Sequence, residues 1–227
     1  MEHFAQKLLI FAGIFSLIVA AIYMWRSRNY KRMLAYSSVE HLGIIAIGIG
    51  VGGVALLGAL LHFLFNSFGK AALFFMAGNI HQSYGSRKIE SVTALTLRLP
   101  WTGFVWALSF FYIVGAPPFG IFFSEIFILM GMIRSDKWYH WWLLALFLSL
   151  LMVIFIGMSR SVLRMLQTPD ATPQSATGAV TGTGERFNLS HALGIYAVAL
   201  SIPLMLFRPA ALFDALHSIM ATLGTTL

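Results

Sequence analysis

Between Val54 and Ile80 the chain reads VALLGALLHFLFNSFGKAALFFMAGNI, 27 residues in which Lys70 is the sole charge. A hydrocarbon core of about 30 Å needs roughly 20 apolar residues in a helix, so this run is long enough to cross a bilayer. Five more windows of this kind surround it: Leu8 to Trp25, Met33 to Val51, Trp101 to Ile133, Trp138 to Met158 and Leu189 to Phe207. The Trp101 window spans 33 residues and is interrupted by Gly115-Ala116-Pro117-Pro118-Phe119-Gly120. Backbone in lipid must satisfy its own hydrogen bonds, and none of the windows has the short alternation of barrel strands. The expected fold is all-α: a polytopic helical membrane bundle of six spans, one of them broken, forming a single membrane domain over residues 1–227.

Composition agrees. Of the 227 residues 59% are hydrophobic and 10% charged, against roughly 45–50% and about 25% in soluble domains. The absence of cysteine excludes disulfides, thiolate metal sites, iron–sulfur ligation and a cysteine nucleophile. The formal charge of +7 comes from short basic clusters between apolar stretches, a pattern that orients a protein in a bilayer rather than one that binds nucleic acid. The first window has no basic stretch ahead of it and no small-residue cleavage site behind it, so it reads as a retained span. Gln167 to Asn188, rich in Thr, Ala, Gly and Pro, reads as a flexible loop.

Arg26, Arg28, Lys31, Arg32, Arg87, Lys88, Arg98, Arg160, Arg164 and Arg186 fall on one side of a six-span topology. Lys7, Arg134, Lys137 and Arg208 fall on the other. The richer side is expected to be cytoplasmic. If the broken window were a two-span hairpin the balance would be the same, so charge alone leaves six and seven spans tied.

Lys70 lies some 15 Å deep by helical rise, near the midplane. A lysine there costs about 2.5–3.5 kcal/mol on insertion scales, and such residues usually face a protein interior or water. Two roles fit: a structural ion pair with a neighbouring helix, or a proton carrier. A buried amine loses the solvation that holds its charge and a nearby acid restores it, so a lysine whose partner comes and goes exchanges a proton. His62, Asn66 and Lys70 recur at i, i+4 and i+8, a polar ladder roughly 12 Å long on one helix face. Imidazole titrates near neutral pH and both donates and accepts, which suits it to pass protons along such a ladder.

Glu125 is the other deep charge, five residues beyond the Gly-Ala-Pro-Pro-Phe-Gly interruption. Proline removes an amide donor and clashes with the preceding turn, so Pro117 and Pro118, flanked by Gly115 and Gly120, are expected to stop the helix and restart it. Broken helices offer freed backbone groups and half-helix dipoles to ions. The alternative is a kinked packing helix whose glutamate pairs with a loop arginine. Near the start of the second window, Tyr36 with Glu40 and Ser37 with His41 are i, i+4 pairs, read either as an entry vestibule or as inter-helix glue. Lys31 sits in the adjoining basic cluster. No phosphate loop, metal motif or cofactor fingerprint is present; no catalytic residue, cofactor or metal ligand is expected in this chain.

Tyr30-Lys31-Arg32-Met33-Leu34-Ala35-Tyr36-Ser37-Ser38, His62 through Phe75 and Gly115 through Leu129 resemble, in order and spacing, three signatures of one superfamily. It comprises the proton-translocating antiporter-like subunits of respiratory complex I, of Mrp-type sodium/proton antiporters and of membrane-bound hydrogenases. The Ser-Val-Glu-His variant is most similar to the hydrogenase-4 component F group. The resemblance implies a proton path through Lys70 with His62 as relay partner, Asn66 at a position often held by a second histidine, and Glu125 at the exit by the broken helix. Lys31 corresponds to a further lysine of that axis, and His41 joins the candidate path. The broken window is then one discontinuous span.

Members usually have about fourteen spans in two inverted repeats, and this chain is similar to the second. The implied partners are other membrane subunits of a complex I-like or hydrogenase complex, a separate chain supplying the first repeat, and the bilayer, with no nucleic acid. The implied setting is a prokaryotic plasma membrane, in an oxidoreductase whose redox centres belong to other chains. An Mrp-like sodium/proton antiporter subunit and a non-conducting membrane anchor are the alternatives.

Overall fold

The computed structural model describes residues 2–135, 137, 139–167, 185–206 and 210–222. The predicted loop from Gln167 to Asn188 therefore lies largely outside the described residues, as do Trp138, Phe207 and Arg208. The long helices are α1 (Glu2–Trp25), α2 (Tyr30–Val51), α3 (Val54–Tyr84) and α7 (Tyr139–Leu166), each long and apolar enough to span a membrane. The short helix α4 (Leu95–Arg98) precedes α5 (Pro100–Ile113) and α6 (Gly120–Ile133); α8 (Leu189–Leu206) and α9 (Ala210–Thr222) complete the chain. The last of these was not expected from the sequence.

Local chemistry sets the boundaries. The Asn29 side chain accepts hydrogen bonds from the Lys31 and Arg32 amides at 3.0 and 3.3 Å and caps α2, as short polar residues do at helix starts. Helix α3 ends at Gly85, in the left-handed region at φ 64°, whose amide bonds to His81 O; such a cap favours glycine. Pro100 starts α5, where its missing donor costs nothing. Between α5 and α6 the Pro117–Pro118 peptide bond is cis.

Helix α3 is the central post. Reading along the broken window, Thr102 lies opposite Asn79, with Asn79 Nδ2 3.4 Å from the Thr102 hydroxyl, and Tyr112 donates to Phe65 O. Farther along, Gly120 lies against the Phe65 ring, Gly58 against Ser124 and Ile128, and Gly131 against Ala55. Helices α5 and α6 thus run in sequence down the whole of α3, antiparallel to it, from Asn79 to Ala55, about 36 Å at 1.5 Å per residue. A hairpin would bring α6 back beside α5. The broken window is one crossing, and the tie between six and seven spans is resolved for six.

Small residues let the helices close. A Cβ on Gly13 would meet Gly43 O at 2.7 Å and one on Gly58 would meet Ile128 N at 2.8 Å, the close backbone approach that membrane helices obtain from glycine. Helix α7 rests on the last turn of α1 through Gly157, and α8 rests on α3 and α5 through Gly194.

One end of the bundle is basic. Asn29 bridges to Lys88, Ile89 N donates to Arg28 O, and Ala94 N donates to Gln167 O. Arg164 pairs with Glu90 at 3.7 Å. Glu185 accepts from the Trp101 and Thr102 amides and the Thr102 hydroxyl at the start of α5, and it also meets His191 at 3.1 Å. All ten residues of the predicted richer side, from Arg26 to Arg186, belong to this end. Phe4, Phe11, Phe15, Trp142 and Met152 on α1 and α7 are exposed, as side chains facing lipid or a neighbouring subunit would be. The chain is an integral membrane protein.

A buried polar line in the middle of the bundle

Residue 69 is the midpoint of α3, so Lys70 sits halfway along the post. It is buried, and its amine donates to Leu34 O at 3.2 Å and to the Ser37 hydroxyl, both on α2. Ser37 in turn donates to Leu34 O at 2.9 Å. Gly69 admits the Tyr112 ring on the other side of α3. Among the described residues no carboxylate lies within 4.0 Å of the Lys70 amine, so the structural ion pair is not formed. Glu40, one turn from Ser37 and itself buried, is nonetheless close enough for its charge and that of Lys70 to act on each other.

Eight residues from Lys70 toward the other end, His62 joins three helices. Its Nε2 is 2.9 Å from His41 Nδ1 on α2, and its Nδ1 is 2.9 Å from the Ser124 hydroxyl on α6. All three side chains are buried. Ser124 gives its one hydrogen to Ile121 O at 2.7 Å, so it accepts from His62 Nδ1–H. A neutral His62 then has a bare Nε2, which accepts from His41 Nδ1–H. The network fixes a direction: each hydrogen points from α2 toward α6.

Glu125 follows Ser124. Its carboxylate lies against Gly115 in the break, where a Cβ would come within 2.5 Å of Oε2. Gly115 also has φ 72°, so both conformation and space call for glycine there. Among the described residues no arginine pairs with Glu125, and Glu40 is again close enough to act on its charge. Gly120, at the start of α6, holds the face of Phe65. Pro117 and Pro118 lie between these two glycines.

The structure therefore joins His41 to His62 directly, lays Lys70 on α2 and seats Glu125 in the break. Asn66 stands between His62 and Lys70 on α3 with its buried Oδ1 unpartnered, so the predicted ladder is not continuous along its own helix. Lys31 is half-buried in the first turn of α2, three residues before the carbonyl that receives Lys70, and does not enter the cluster. Ser37 and Glu40 were read from the sequence as a vestibule or inter-helix glue rather than as part of the proton path, and Ser124 was not singled out. Ser37, Glu40 and His41 share a face at i, i+3 and i+4, a signal that was present; Ser124 carried none beyond its adjacency to Glu125.

The family model described as NADH:quinone oxidoreductase/Mrp antiporter, TM, matches residues 1–154. The hydrogenase-4 component F homolog of Methylacidiphilum infernorum (isolate V4) is 32% identical over 200 residues, covering 88% of this chain and 40% of that protein. In fold, the chain is similar to the membrane-bound sulfane sulfur reductase, an archaeal respiratory membrane complex, with TM-score 0.79 and 22% identity over 95% of this chain and 42% of that one. It is likewise similar to the Mrp complex from Dietzia sp. DQ12-45-1b, with TM-score 0.75 and 16% identity over 91% and 45%. The chain thus spans less than half the length of these relatives.

Proposed function

Because the chain belongs to the NADH:quinone oxidoreductase/Mrp antiporter transmembrane family, we propose that it carries protons across a prokaryotic plasma membrane as a subunit of a redox-driven complex. The basic end faces the cytoplasm. Other membrane subunits, one of them supplying the first repeat, complete the transport unit, and electron transfer takes place in partner chains. The observation that carries this reading is the hydrogen-bonded line His41–His62–Ser124 crossing three helices, with Lys70 at one side and Glu125 at the other.

The mechanism follows from the polarity of that line. A proton arriving on His41 releases the Nδ1 hydrogen to His62 Nε2, and His62 releases its own Nδ1 hydrogen toward Ser124. A hydroxyl holds no second proton, so Ser124 must turn its hydrogen away from Ile121 O and hand it on toward Glu125. Reset needs both rings to return to their first tautomer.

Charge drives the cycle. At an effective dielectric of about 20, two unit charges 4 Å apart interact by about 4 kcal/mol, roughly a thousandfold in a protonation equilibrium. Glu40 lies within reach of both Lys70 and Glu125, so loading one end biases the other. Asn66, with its free carbonyl oxygen, offers a side branch for water between Lys70 and His62.

Ser124→Ala tests the line with little disturbance to packing. In the assembled complex reconstituted in vesicles, proton uptake per electron transferred is expected to fall by about tenfold, the scale of losing one positioned proton-transfer group being at least that. Electron transfer with an uncoupler present should be unchanged. Uptake equal to the unmodified complex would overturn the reading, and uptake that depends on sodium would replace the proton by that ion.

A further inference from the structure

At the basic end, the last turn of α1, the turn after α3 and the end of α7 line a cleft of about 130 Å³. Its rim carries Arg28, Arg160 and Arg164, with Glu90 as the single acid. None of the three guanidiniums is used up. Arg164 reaches Glu90 only at 3.7 Å, with both side chains more than half exposed. Arg160 lies over the Trp25 ring at 5.2 Å, and Arg28 is exposed. The cleft is a standing feature of the fold, because Gly157 seats α7 on the backbone of Met24 and Trp25.

We infer that this cleft binds the phosphodiester of an anionic glycerophospholipid. Guanidinium is planar, weakly hydrated and matched to phosphate oxygens in pairs, and all the cations here are arginine. Trp25, half exposed at the end of α1, is the amphipathic ring expected at headgroup level. One turn deeper, Ile22 on α1, which lines the adjoining cleft, and Val153 on α7, one turn before Gly157, are exposed, giving acyl chains apolar surface beside the arginines. A second cleft of about 410 Å³ shares Ser27 and Arg28 with the first and adds Arg26 and Arg32, so a neighbouring phosphate is also accommodated. That apolar surface favours a lipid over an acidic segment of another subunit, which would need none.

The test uses the full chain in nanodiscs containing phosphatidylglycerol and phosphatidylcholine, with retained lipids counted by native mass spectrometry. The unmodified protein should retain phosphatidylglycerol preferentially. Each of Arg28→Gln, Arg160→Gln and Arg164→Gln should lower that preference by about fivefold, the scale of one arginine at a membrane surface. Glu90→Gln should raise it, since the acid on the rim then no longer repels the phosphate, an effect of opposite sign that general damage to the fold does not produce. All four positions are exposed, and unchanged helical circular dichroism checks that each variant folds. An unchanged preference in the arginine variants would overturn the site and leave the cluster to a protein partner. Displacement of the lipid by inorganic phosphate would overturn it in favour of a soluble anion.

Discussion

Replacing Lys70 by Met is expected to abolish proton uptake by the assembled complex, by more than about tenfold, while leaving the chain at least as stable as before. The two effects have different causes. Burying an ammonium at mid-membrane costs about 2.5–3.5 kcal/mol on insertion scales, and methionine removes that cost while filling similar space. The amine's contacts are a carbonyl and a hydroxyl on α2, and Ser37 retains its own bond to Leu34 O. Transport loses the amine that carries a positive charge within electrostatic reach of Glu40. Lys70→Arg separates charge from proton exchange: guanidinium keeps the charge and does not release its proton. If Lys70 acts only as a fixed charge, arginine rescues uptake; if it must load and unload, uptake stays low, which is the expected result. Uptake is read as pH-dye quenching in vesicles, and stability as the fraction of monodisperse protein recovered after heating in detergent.

Glu125→Gln is the second large effect. Glutamine keeps the volume against Gly115 and removes the charge, so the fold should be retained and uptake should fall by about tenfold or more, the scale of a lost acid–base group. Gly115→Ala offers a check from the other side of the contact. Its Cβ would press on the carboxylate at 2.5 Å, and the left-handed backbone adds about 1–2 kcal/mol of strain. Loss of uptake in Gly115→Ala with Glu125 intact would show that the position of the carboxyl matters as well as its presence. Normal uptake in Glu125→Gln, with the variant present in the complex, would remove Glu125 from the route.

The spans were legible because apolar length is a one-dimensional property: the run around Lys70 is α3 within a few residues. The break was legible too, since Pro117 and Pro118 act on their own backbone. Whether it made one crossing or two depended on how α5 and α6 lie on α3, a relation between distant segments that the charge count left tied. The same distinction governs the site. The i, i+4 spacing of His62, Asn66 and Lys70 predicts a ladder along α3, but a lysine side chain is long enough to reach the next helix, and this one does. Its partners Leu34 and Ser37 lie more than thirty positions away. Glu40 was visible as a polar residue of α2, yet nothing in its spacing brings it within electrostatic reach of both Lys70 and Glu125. Helix α9 is too short and too mixed in polarity to stand out as an apolar run.

The claim on which the rest depends is that Lys70 and Glu125 belong to one electrostatically connected line. Infrared titration in the assembled complex tests it directly. The carboxyl band of Glu125 is identified by its absence in Glu125→Gln, and its midpoint is compared between the unmodified chain and Lys70→Met. A connected line requires the midpoint to move in Lys70→Met and to stay in place in Lys7→Gln, which alters a charge at the far end of the bundle. Identical midpoints in all three would contradict it.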